Sequence, residues 1–573
     1  MEIAVNPEDI LQTAKVALLA GDATLAERLT APLVAEHGDR IDLNYLRAAT
    51  LAALGDGSDT RVHIEAAWLS HAVIMLEEHD IDVARMAAEP AYAIQVAMMF
   101  YREGYVGPAA LACGLAINDL KIAAEGGLFL YGQILQHHGR IEAALSAYDR
   151  ALTVSGADHL PGFILYALFF ARNGVERHSA LARQWGESIA RFTPSGPVFK
   201  ITPIEGRKLR IGYVAPSFTR NQTRQFVLPV FEGHDPDAFE IFVYVDDAEA
   251  EDLPDHVVVR TIKLGAYDAA VELIRGDAID ILVDVWGHAS GNNLPVFARR
   301  AAPVQVTWLN YMQTTGLGAM DYSLIGHEMA LPGTEALFVE KLFDIGPVLA
   351  PFRPTPTART SPAPALSRGF LVFASFNHPA KISDETVTGW AKMLKACPDS
   401  KLLFKYSYFV DPLLQATMQC RFLTHGVDPA RILFAGHSKG DEYEQSFAEI
   451  DIALDPVSCP GGTTTLEAFS RGVPVMGVRG QDFYSRITVE ALIALGLPEL
   501  LSEDWDEAAA KAAAFAADLP ALDALRARVR PAFDASPYRD EAGVTRRLEA
   551  AFRIMFEAWS VTSTSVQSDA QAA

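Results

Sequence analysis

The residues best suited to chemistry lie in one stretch near the end of the chain, LDPVSCPGGTTTLEAF, which runs from Leu454 to Phe469. The apolar residues around its start predict a buried strand, and the pattern after its glycines predicts a helix that ends at Gly472. Its polar and turn-forming residues are Gly461, Gly462, Thr463, Thr464, Thr465 and Glu467. A glycine turn that feeds a helix directs free backbone N–H groups and the positive end of the helix dipole at one spot, which suits a phosphate.

The side chains of this stretch extend the same interpretation. The three threonines add hydroxyl donors for a phosphate, and Glu467, about one helical turn in, is suited to the two hydroxyls of a ribose. The alternative is structural: Thr463 only caps a helix and the glycines only form a turn. The stretch alone does not decide between the two.

A second polar group follows another predicted strand. FASFNHPAKI (Phe373–Ile382) places Asn377, His378 and Lys381 just after that strand. A lysine at this position can neutralise a diphosphate, and His378 can hydrogen-bond to it. We therefore expect these three residues and the glycine–threonine stretch to form one donor-binding site.

The elements that must position these residues alternate between β-branched runs and amphipathic helical stretches from Leu209 onward. Such alternation predicts two doubly wound α/β domains with parallel sheets and a cleft between them, with ligands at the carboxyl ends of the strands. The expected strands are Leu209–Ala215, Phe239–Tyr244, Val257–Ile262, Ile279–Val285 and Val304–Leu309, then Phe370–Ser375, Lys401–Tyr406, Arg431–Phe434, Asp451–Leu454 and Val473–Gly477.

The first part of the chain predicts an all-α helical repeat domain instead. Gly104, Gly139 and Gly174 are spaced by 35 residues, and a small residue follows each one five positions later. This spacing is typical of helix pairs of the tetratricopeptide (TPR) type, whose concave surface holds a protein or peptide. An irregular helical bundle is the alternative. His137 and His138, with no ligand partner at metal spacing, are interpreted as surface residues.

Changes in composition set the expected domain bounds. We expect helical repeats over 1–193, a linker over 194–208, the first α/β domain over 209–350, a Pro-rich linker over 351–368, the second α/β domain over 369–558 and a disordered polar tail over 559–573.

Charge and cysteine content narrow the class of protein. The 573 residues carry a formal net charge of −24, which argues against a nucleic-acid or anionic-membrane partner. The start of the sequence lacks a signal-peptide pattern, and no apolar run reaches the length of a membrane span. Four widely separated cysteines without zinc spacing favour a reduced, cytoplasmic protein.

Taken together, the motifs resemble those of the O-GlcNAc transferase and SPINDLY family of protein glycosyltransferases. The matching segments are FN-x-x-x-K, LD-x₅-GG-TTT-x-E, the run GVPV and the pair SR in the second α/β domain, and LRIGYVAPSF, GHASGNN, APVQVTW and TTGLGAMDY in the first. The family joins TPR repeats to a two-domain GT-B catalytic unit, so the resemblance covers nearly the whole chain.

The resemblance implies roles for individual residues. Lys381 matches the pyrophosphate-binding lysine, Thr463 and Thr464 match the threonines that contact the diphosphate, and Glu467 matches the acidic ribose-binding position. Tyr443 matches a position near the base and ribose, although a plain surface tyrosine is the alternative. The implied reaction is inverting transfer of a sugar from a nucleotide sugar to a Ser or Thr hydroxyl of a protein, with no metal or other cofactor.

The departures from the family pattern cluster around the sugar and the acceptor. In the segment SFTRNQTRQF, which contains Thr223, Asn221 stands where many members have a histidine, and asparagine cannot act as a general base. Asn310 and Met312 replace glycine and proline in a loop that is expected to line the sugar pocket. These changes favour a donor other than UDP-GlcNAc. His288, which follows a predicted strand, is a candidate catalytic residue that could act as base or orient the acceptor; a turn-capping histidine is the alternative.

One bacterial subgroup with this layout is the flagellin glycosyltransferase (FlmG-like) type, a cytoplasmic enzyme whose repeats hold flagellin and whose sugar is a nonulosonic acid of the pseudaminic kind. Its donor is a CMP-sugar, so Lys381 would then meet one phosphate and the sugar carboxylate. The alternatives are a UDP-GlcNAc- or GDP-fucose-dependent transferase acting on other intracellular proteins, a transferase acting on glycans, and a non-catalytic TPR scaffold.

Overall fold

The structure is a computed structural model that describes residues 7–37, 40–55, 57–155, 160–171, 174–190, 199, 206–219, 221–248, 251–355 and 362–572. The predicted linker over 194–208 lies largely outside these residues. Among the described helices none is long and apolar enough to cross a membrane.

Helices alone build the first part of the chain, here called the repeat array. The alanine- and leucine-rich sequence favours helices whose small residues let neighbouring helices approach closely. The helices are α1 Pro7–Leu19, α2 Ala23–Thr30, α3 Val34–His37, α4 Ile41–Ala53, α5 Gly57–Glu78, α6 Val83–Ala88, α7 Pro90–Glu103, α8 Val106–Ala116, α9 Leu120–Ile122, α10 Leu128–His137, α11 Ile141–Ser155, α12 Leu160–Leu168 and α13 Gly174–Ala190.

Helix pairs within the array confirm the predicted repeat. Gly104 separates α7 from α8 and Gly139 separates α10 from α11, each in the left-handed conformation with φ of 88° and 85°. Gly132 of α10 leaves room for Tyr148 of α11, since a Cβ at Gly132 would lie 2.4 Å from that ring. Gly174 is different, because it begins α13 instead of forming the turn before it.

The first sheet has seven parallel strands in the order β3-β2-β1-β4-β5-β6-β7. Its central strands are buried and rich in β-branched residues, as expected of a sheet covered on both faces. The elements of this domain are β1 Leu209–Val214, α14 Arg224–Gly233, β2 Phe239–Val245, β3 Val258–Thr261, α15 Tyr267–Gly276, β4 Ile281–Asp284, α16 Leu294–Ala298, β5 Val304–Thr307, β6 Tyr322–Ile325 and β7 Lys341–Asp344.

The second sheet has six parallel strands in the order β10-β9-β8-β11-β12-β13. Its strands are β8 Val372–Ser375, β9 Lys401–Lys405, β10 Ile432–Ala435, β11 Ile452–Leu454, β12 Val475–Val478 and β13 Leu501–Ser502. The helices are α17 Ala365–Arg368, α18 Asp384–Ala396, α19 Pro412–Leu423, α20 Gly440–Ala448, α21 Thr463–Ser470, α22 Ile487–Ala494, α23 Trp505–Ala517, α24 Leu519–Asp534 and α25 Glu541–Ala572.

The repeat array and the two sheets confirm the predicted helical domain followed by a GT-B pair. Three strands, however, were not predicted from the sequence. β6 and β7 lie at one side of the first sheet; each has only four residues, and every residue of β7 is exposed or half-exposed. β13 has only two residues. Such short or half-exposed strands give little periodic signal.

The end of the chain also differs from the prediction. Where a disordered tail was expected over 559–573, α25 continues to Ala572, and no proline or glycine follows Gly543 within it. The helix also packs on the first α/β domain, although the prediction assigned it to the second. The backbone N–H of Asp235 donates to Glu549 of α25 at 2.8 Å, and Arg547 donates to the carbonyl of Ile345 at 3.0 Å. The last helix therefore ties the two α/β domains together.

Candidate functional site

Two loops meet at the carboxyl edge of the second sheet, because β8 and β11 are neighbours in it. The carboxylate of Asp455, directly after β11, joins them. Its Oδ1 accepts from the backbone N–H of Gly461 at 2.7 Å and from the side-chain amide of Asn377 at 3.3 Å. Its Oδ2 accepts from the hydroxyl of Thr465 at 2.7 Å and from that of Thr488. Burial raises the pKa of Asp455, and these donors oppose that rise.

This network includes two predicted donor-binding residues. Asn377 is 6% exposed and Thr465 is 4% exposed, and both direct side-chain donors at Asp455. Both side chains therefore help to shape the two loops. Asp455 was not among the predicted site residues, and the signal that could have identified it is an aspartate six residues before the first glycine of a turn.

Lys381 ends a short 3-10 helix, Pro379–Lys381, that follows β8. Its ammonium donates to the backbone carbonyl of Pro460 at 2.9 Å, directly before the glycine turn. The positive charge is thereby held beside the first turn of α21, as the sequence predicts. A fixed cation next to a helix N-terminus favours an anion at the same place.

The two glycines of the turn differ in the space that is available for a side chain. A Cβ at Gly461 would lie 2.5 Å from the hydroxyl oxygen of Thr464, so a larger residue would displace the threonines. Gly462 is the N-cap of α21, and a Cβ there would have no atom within 4 Å. Thr463 and Thr464 are partly exposed in the first helical turn. The first turn of α21 can therefore direct N–H and O–H donors at one ligand group.

Glu467 and Tyr443 come together as the resemblance implies. The Tyr443 hydroxyl, on α20, donates to the carboxylate of Glu467 at 2.7 Å. The Tyr443 ring packs edge-on against Phe447, with ring centroids 5.2 Å apart. The pair lies one helical turn from the glycine turn and forms an acidic, aromatic-walled corner of the kind that suits a nucleoside.

His378 lies at the start of the Pro379–Lys381 turn, where its Nδ1 accepts from the backbone N–H of Ala380 at 3.0 Å. Burial and the nearby positive charge of Lys381 hold its pKa well below the usual range, so the ring is neutral. With Nδ1 as acceptor, the neutral ring carries its proton on Nε2. His378 is thus a hydrogen-bond donor, as expected beside a phosphate.

On the first α/β domain, the residues assigned to the sugar and acceptor loop also come together. The Asn221 side chain accepts from the backbone N–H of Thr223 at 2.9 Å, and Asn310 donates its amide to the Thr223 hydroxyl at 2.9 Å. Leu309, just before Asn310, has φ of 84°, a left-handed conformation that is strained for a leucine. Met312 in the same loop is partly buried against the core.

His288 does not have the surroundings of a catalytic base. It is 3% exposed, and its Nε2 lies 2.8 Å from the backbone carbonyl of Thr315. Its ring packs edge-on against Trp185 with centroids 4.5 Å apart, and burial lowers its pKa to about 4. A Cβ at Gly162 of α12 would lie 3.7 Å from its Nδ1. The geometry supports a packing role, close to the turn-capping alternative.

The repeat array forms a further wall of the site, which the sequence did not predict. Phe169, just after α12, packs on Tyr311 of the first domain and Tyr484 of the second, with ring centroids 5.1 and 5.3 Å apart. Phe170 stacks on His378 with centroids 6.3 Å apart. The end of the array therefore touches both domains and the donor loop.

Two further contacts fix the array to the second domain. The hydroxyls of Tyr101 on α7 and of Tyr408 each lie 2.8 Å from Nδ1 of His137. Asp411 accepts from the backbone N–H of Gly107 on α8 at 2.7 Å and from that of Leu413 at 2.9 Å, so one carboxylate caps a helix on each side.

The interpretation of His137 and His138 as surface residues is wrong. Burial lowers the pKa of His137 to about 4, and His138 is 4% exposed. His137 is partly buried and His138 is buried because the carboxyl end of α10 packs on the second domain, a contact that the repeat spacing alone does not reveal.

The arrangement on the second domain is suited to holding an anionic leaving group. The two neighbouring loops carry a lysine ammonium, a neutral histidine, two threonine hydroxyls and a helix N-terminus, all of which stabilise negative charge. Across the described part of the chain, no group of three or more His, Cys, Asp or Glu side chains is placed to hold a metal ion.

Comparison with known proteins matches this architecture to one family. The model of glycosyl transferase family 41 matches residues 173–344 and 357–546, which cover α13, both sheets and both candidate loops.

Individual relatives support the same family assignment. The chain is 30% identical, over 72% of its length and 46% of the relative, to the probable UDP-N-acetylglucosamine–peptide N-acetylglucosaminyltransferase SPINDLY of Oryza sativa subsp. japonica. It is 26% identical, over 69% of its length and 42% of the relative, to the probable enzyme SEC of Arabidopsis thaliana, which has the same activity name. The chain thus spans less than half the length of these curated relatives.

Among solved structures, a mutant of the O-GlcNAc transferase of Thermobaculum terrenum superimposes with a TM-score of 0.74 at 27% identity. The match covers 97% of this chain and 98% of that one, and therefore includes the repeat array as well as both α/β domains.

Proposed function

The chain belongs to glycosyl transferase family 41, and on that premise we propose that it transfers a sugar from a nucleotide-sugar donor to a Ser or Thr hydroxyl of a protein, with inversion. The observation that carries the proposal is the placement of Lys381 beside the first turn of α21, held by the carbonyl of Pro460. The named activities of the relatives support the same reaction class.

The chemistry follows from where charge develops. As the bond between the sugar and the phosphate breaks, negative charge grows on the departing phosphate. Lys381, the N–H groups of the first turn of α21 and the hydroxyls of Thr463 and Thr464 stabilise that charge more in the transition state than in the bound donor. Glu467 and Tyr443 hold the nucleoside, and His378 donates from Nε2 to a phosphate oxygen.

The acceptor is proposed to be a protein because the repeat array reaches the donor loop. Phe170 stacks on His378, and Phe169 contacts aromatic residues of both domains. A polypeptide held by the array would therefore meet the donor without crossing open solvent. Free cysteines in the described chain are compatible with a reducing compartment, and we propose the cytoplasm.

The sugar is proposed to be one other than N-acetylglucosamine, and a nonulosonic acid on CMP with flagellin as acceptor is the specific candidate. The support is the departure from the family pattern at Asn221, Asn310 and Met312, which lie in loops of the first α/β domain. A CMP-sugar brings one phosphate and a sugar carboxylate, and Lys381 can meet either anion.

The reaction class is tested with Lys381→Ala and a matched control. Lys401 lies at the amino end of β9 in the same sheet, where its ammonium rests over the Phe370 ring at 5.5 Å. We expect Lys381→Ala to lower transfer at least about 100-fold, as for loss of a group that stabilises transition-state charge, and Lys401→Ala to leave it unchanged. Equal transfer by wild type and Lys381→Ala would refute the proposal.

The acceptor is tested in cells. Intact-mass measurement of flagellin from a strain that lacks this gene should show the loss of whole sugar masses relative to wild type, restored by the wild-type gene and not by Lys381→Ala. An unchanged flagellin mass would show that flagellin is not the acceptor. The reaction class would still be tested by the Lys381→Ala experiment.

A further inference from the structure

A buried carboxylate holds one end of the loop over residues 310–316, which follows β5 in the first α/β domain. Glu340, directly before β7, is 4% exposed. It accepts from the hydroxyl of Thr314 at 2.7 Å, from the backbone N–H of Thr315 at 2.7 Å and from the Thr315 hydroxyl. Three donors from one turn of the loop therefore converge on one carboxylate.

Hydrogen bonds, and not a cation, satisfy the charge of Glu340. Among the described residues no lysine or arginine forms an ion pair with it. Burial raises the pKa of Glu340, and the donors of the turn oppose that rise. A buried carboxylate is costly unless its oxygens accept hydrogen bonds, so the turn is confined to the geometry that supplies them.

The same turn also packs closely on α13 of the repeat array. Gly316 has φ of 78°, and a Cβ there would overlap the carbonyl oxygen of Ala182 on α13. A Cβ at Gly186, one helical turn further along α13, would overlap the carbonyl oxygen of Gly316. The backbone of the turn therefore fits against the helix without room for a side chain at either glycine.

Helix α13 also holds the segment that carries the carboxylate. Ser179 donates its hydroxyl to the backbone carbonyl of Leu337 at 2.7 Å. Arg183 donates to the backbone carbonyls of Ala336 and Phe338 at 2.9 and 2.8 Å. The turn and the carboxylate that fixes it are thus both placed by the last helix of the array.

The other end of the loop lies where the three units of the protein meet. Tyr311 packs on Phe169 of the array, which packs in turn on Tyr484 of the second α/β domain. Asn310 and Met312, which depart from the family pattern, flank Tyr311. They precede the turn by only a few residues, so a displaced turn would displace them as well, because consecutive Cα atoms are about 3.8 Å apart.

We propose that Glu340 is a positioning residue for sugar transfer, which holds the turn over residues 314–316 and thereby places Asn310 and Met312 against the donor sugar. The inference rests on the proposed function and adds a residue that acts through this loop without touching the donor. The loop then has a fixed end at the turn, while its other end is free to differ between enzymes that use different sugars.

The test compares the Kd of a nucleotide sugar with the Kd of its nucleotide in the full-length protein. The probe pairs are UDP with UDP-N-acetylglucosamine, GDP with GDP-fucose and CMP with CMP-N-acetylneuraminate, and the pair whose nucleotide binds wild type most tightly is used. Glu340→Ala should raise the ratio of the two Kd values about 3- to 10-fold, since a sugar contact is misplaced. The Kd of the nucleotide alone should stay within about twofold of wild type.

A second buried glutamate provides the matched control. Glu549 of α25 is 5% exposed and accepts from the backbone N–H of Asp235 at 2.8 Å, shortly before β2 and therefore at the amino edge of the first sheet, away from the cleft. Glu549→Ala should destabilise the protein but leave the ratio of Kd values as in wild type. A stability defect by itself would move neither ratio.

Exchanges at Thr315 test the same contact without removing the carboxylate, and they decide the matter should Glu340→Ala not fold. Thr315→Val removes one hydroxyl donor and keeps the shape, so the ratio should rise, by less than in Glu340→Ala. Thr315→Ser keeps the hydroxyl and should restore the wild-type ratio.

An unchanged ratio in Thr315→Val and Glu340→Ala would overturn the inference. An equal rise in Glu549→Ala, or an equal loss of affinity for the nucleotide alone, would overturn it too, because the effect would then not come from the loop. Failure of the proposed function would appear in another measurement, as nucleotide binding and transfer that do not depend on Lys381.

Discussion

The two sides of the cleft are held in different ways. On the second domain, Asp455 is fully buried and gathers a backbone N–H, two hydroxyls and an amide around one carboxylate. On the first domain, Asn310 and Thr223 are joined by a single neutral hydrogen bond, and Asn310 is exposed. If these loops act as proposed, the contact that shapes the phosphate side is held by a buried carboxylate, and the Asn310–Thr223 contact on the sugar side is held by one neutral hydrogen bond.

The difference matches what each side must recognise. Every nucleotide sugar carries a phosphate, so the loop that holds it can be fixed by charge-assisted hydrogen bonds that tolerate little change. The sugar varies from donor to donor, and a loop held by neutral side chains can change without disturbing the phosphate site. Asn221, Asn310 and Met312, the positions that depart from the family pattern, all lie on the weakly held side.

The largest expected effect comes from removing the buried carboxylate. Asp455→Ala leaves the N–H of Gly461 and the hydroxyls of Thr465 and Thr488 without their acceptor, which should destabilise the protein by at least about 3 kcal/mol. It should also lower transfer at least about 100-fold, because the glycine turn loses its shape. Urea unfolding and a transfer assay measure the two effects.

A second buried aspartate in the same strand region serves as control. Asp451 accepts from Ala365 and Val372 and pairs with Arg368, at the amino end of β11 away from the cleft. Asp451→Ala should destabilise the protein while the remaining folded protein keeps its nucleotide affinity. If Asp455→Ala also kept its nucleotide affinity, the carboxylate would not organise the phosphate loop.

A second prediction concerns the boundary between the two sides. Glu490 on α22 is buried between the domains, where it accepts from Tyr538 at 3.1 Å and from the backbone N–H of Leu349 at 3.3 Å. Burial raises its pKa from 4.5 to about 8. Between these values the folded protein holds a proton that the unfolded chain releases, so the free energy of unfolding falls as pH rises from 4.5 to about 8.

Glu490→Gln should remove this pH dependence. Relative to wild type, the variant should gain about 2 to 4 kcal/mol of stability on moving from about pH 5 to about pH 9. Urea unfolding at both pH values measures the difference, with Glu503→Gln on the surface as control. An equal response of wild type and Glu490→Gln would show that Glu490 does not hold the proton.

The smallest effect is expected on the sugar side. Asn310→Ala or Thr223→Val should each change stability by about 1 kcal/mol or less, since each removes one partly exposed hydrogen bond. The double variant should cost less than the sum, because both single changes break the same contact. Nucleotide affinity should stay as in wild type, while the preference among sugars changes. A loss of nucleotide affinity would contradict the proposal that the second domain recognises the nucleotide and the first domain recognises the sugar.

The sequence predicted the parts of this site that local pattern determines. The buried strands, the glycine turn into α21 and the positions of Lys381 and Glu467 beside that turn follow from periodicity and turn chemistry, whereas the nearness of Tyr443 was implied only by the resemblance to the family. Thr465 and Asn377 were assigned to the donor because residue type alone does not show which way a side chain points. The burial of His288 was not predicted for the same reason, since it results from packing against Trp185 and Tyr311.

Contacts between segments that are distant in the chain could not be predicted from the sequence. The repeat spacing predicts helix pairs but not the face by which they pack on the second domain, so the burial of His137 and His138 and the double cap by Asp411 were missed. The return of α25 to the first domain is likewise a tertiary contact between segments hundreds of residues apart. Such contacts depend on the assembled surfaces and leave no periodic signal.

The central claim is that Lys381 and the first turn of α21 hold the phosphate of a nucleotide sugar. The most direct measurement is thermal unfolding of wild type and Lys381→Ala with UDP, GDP, CMP and their sugars. A nucleotide at one hundred times its Kd adds about 2.7 kcal/mol and raises the unfolding temperature of wild type. We expect one nucleotide class to do so, and Lys381→Ala to lose most of that shift; CMP alone would favour a nonulosonic donor. No shift with any nucleotide, together with identical melting of Lys381→Ala, would contradict the account.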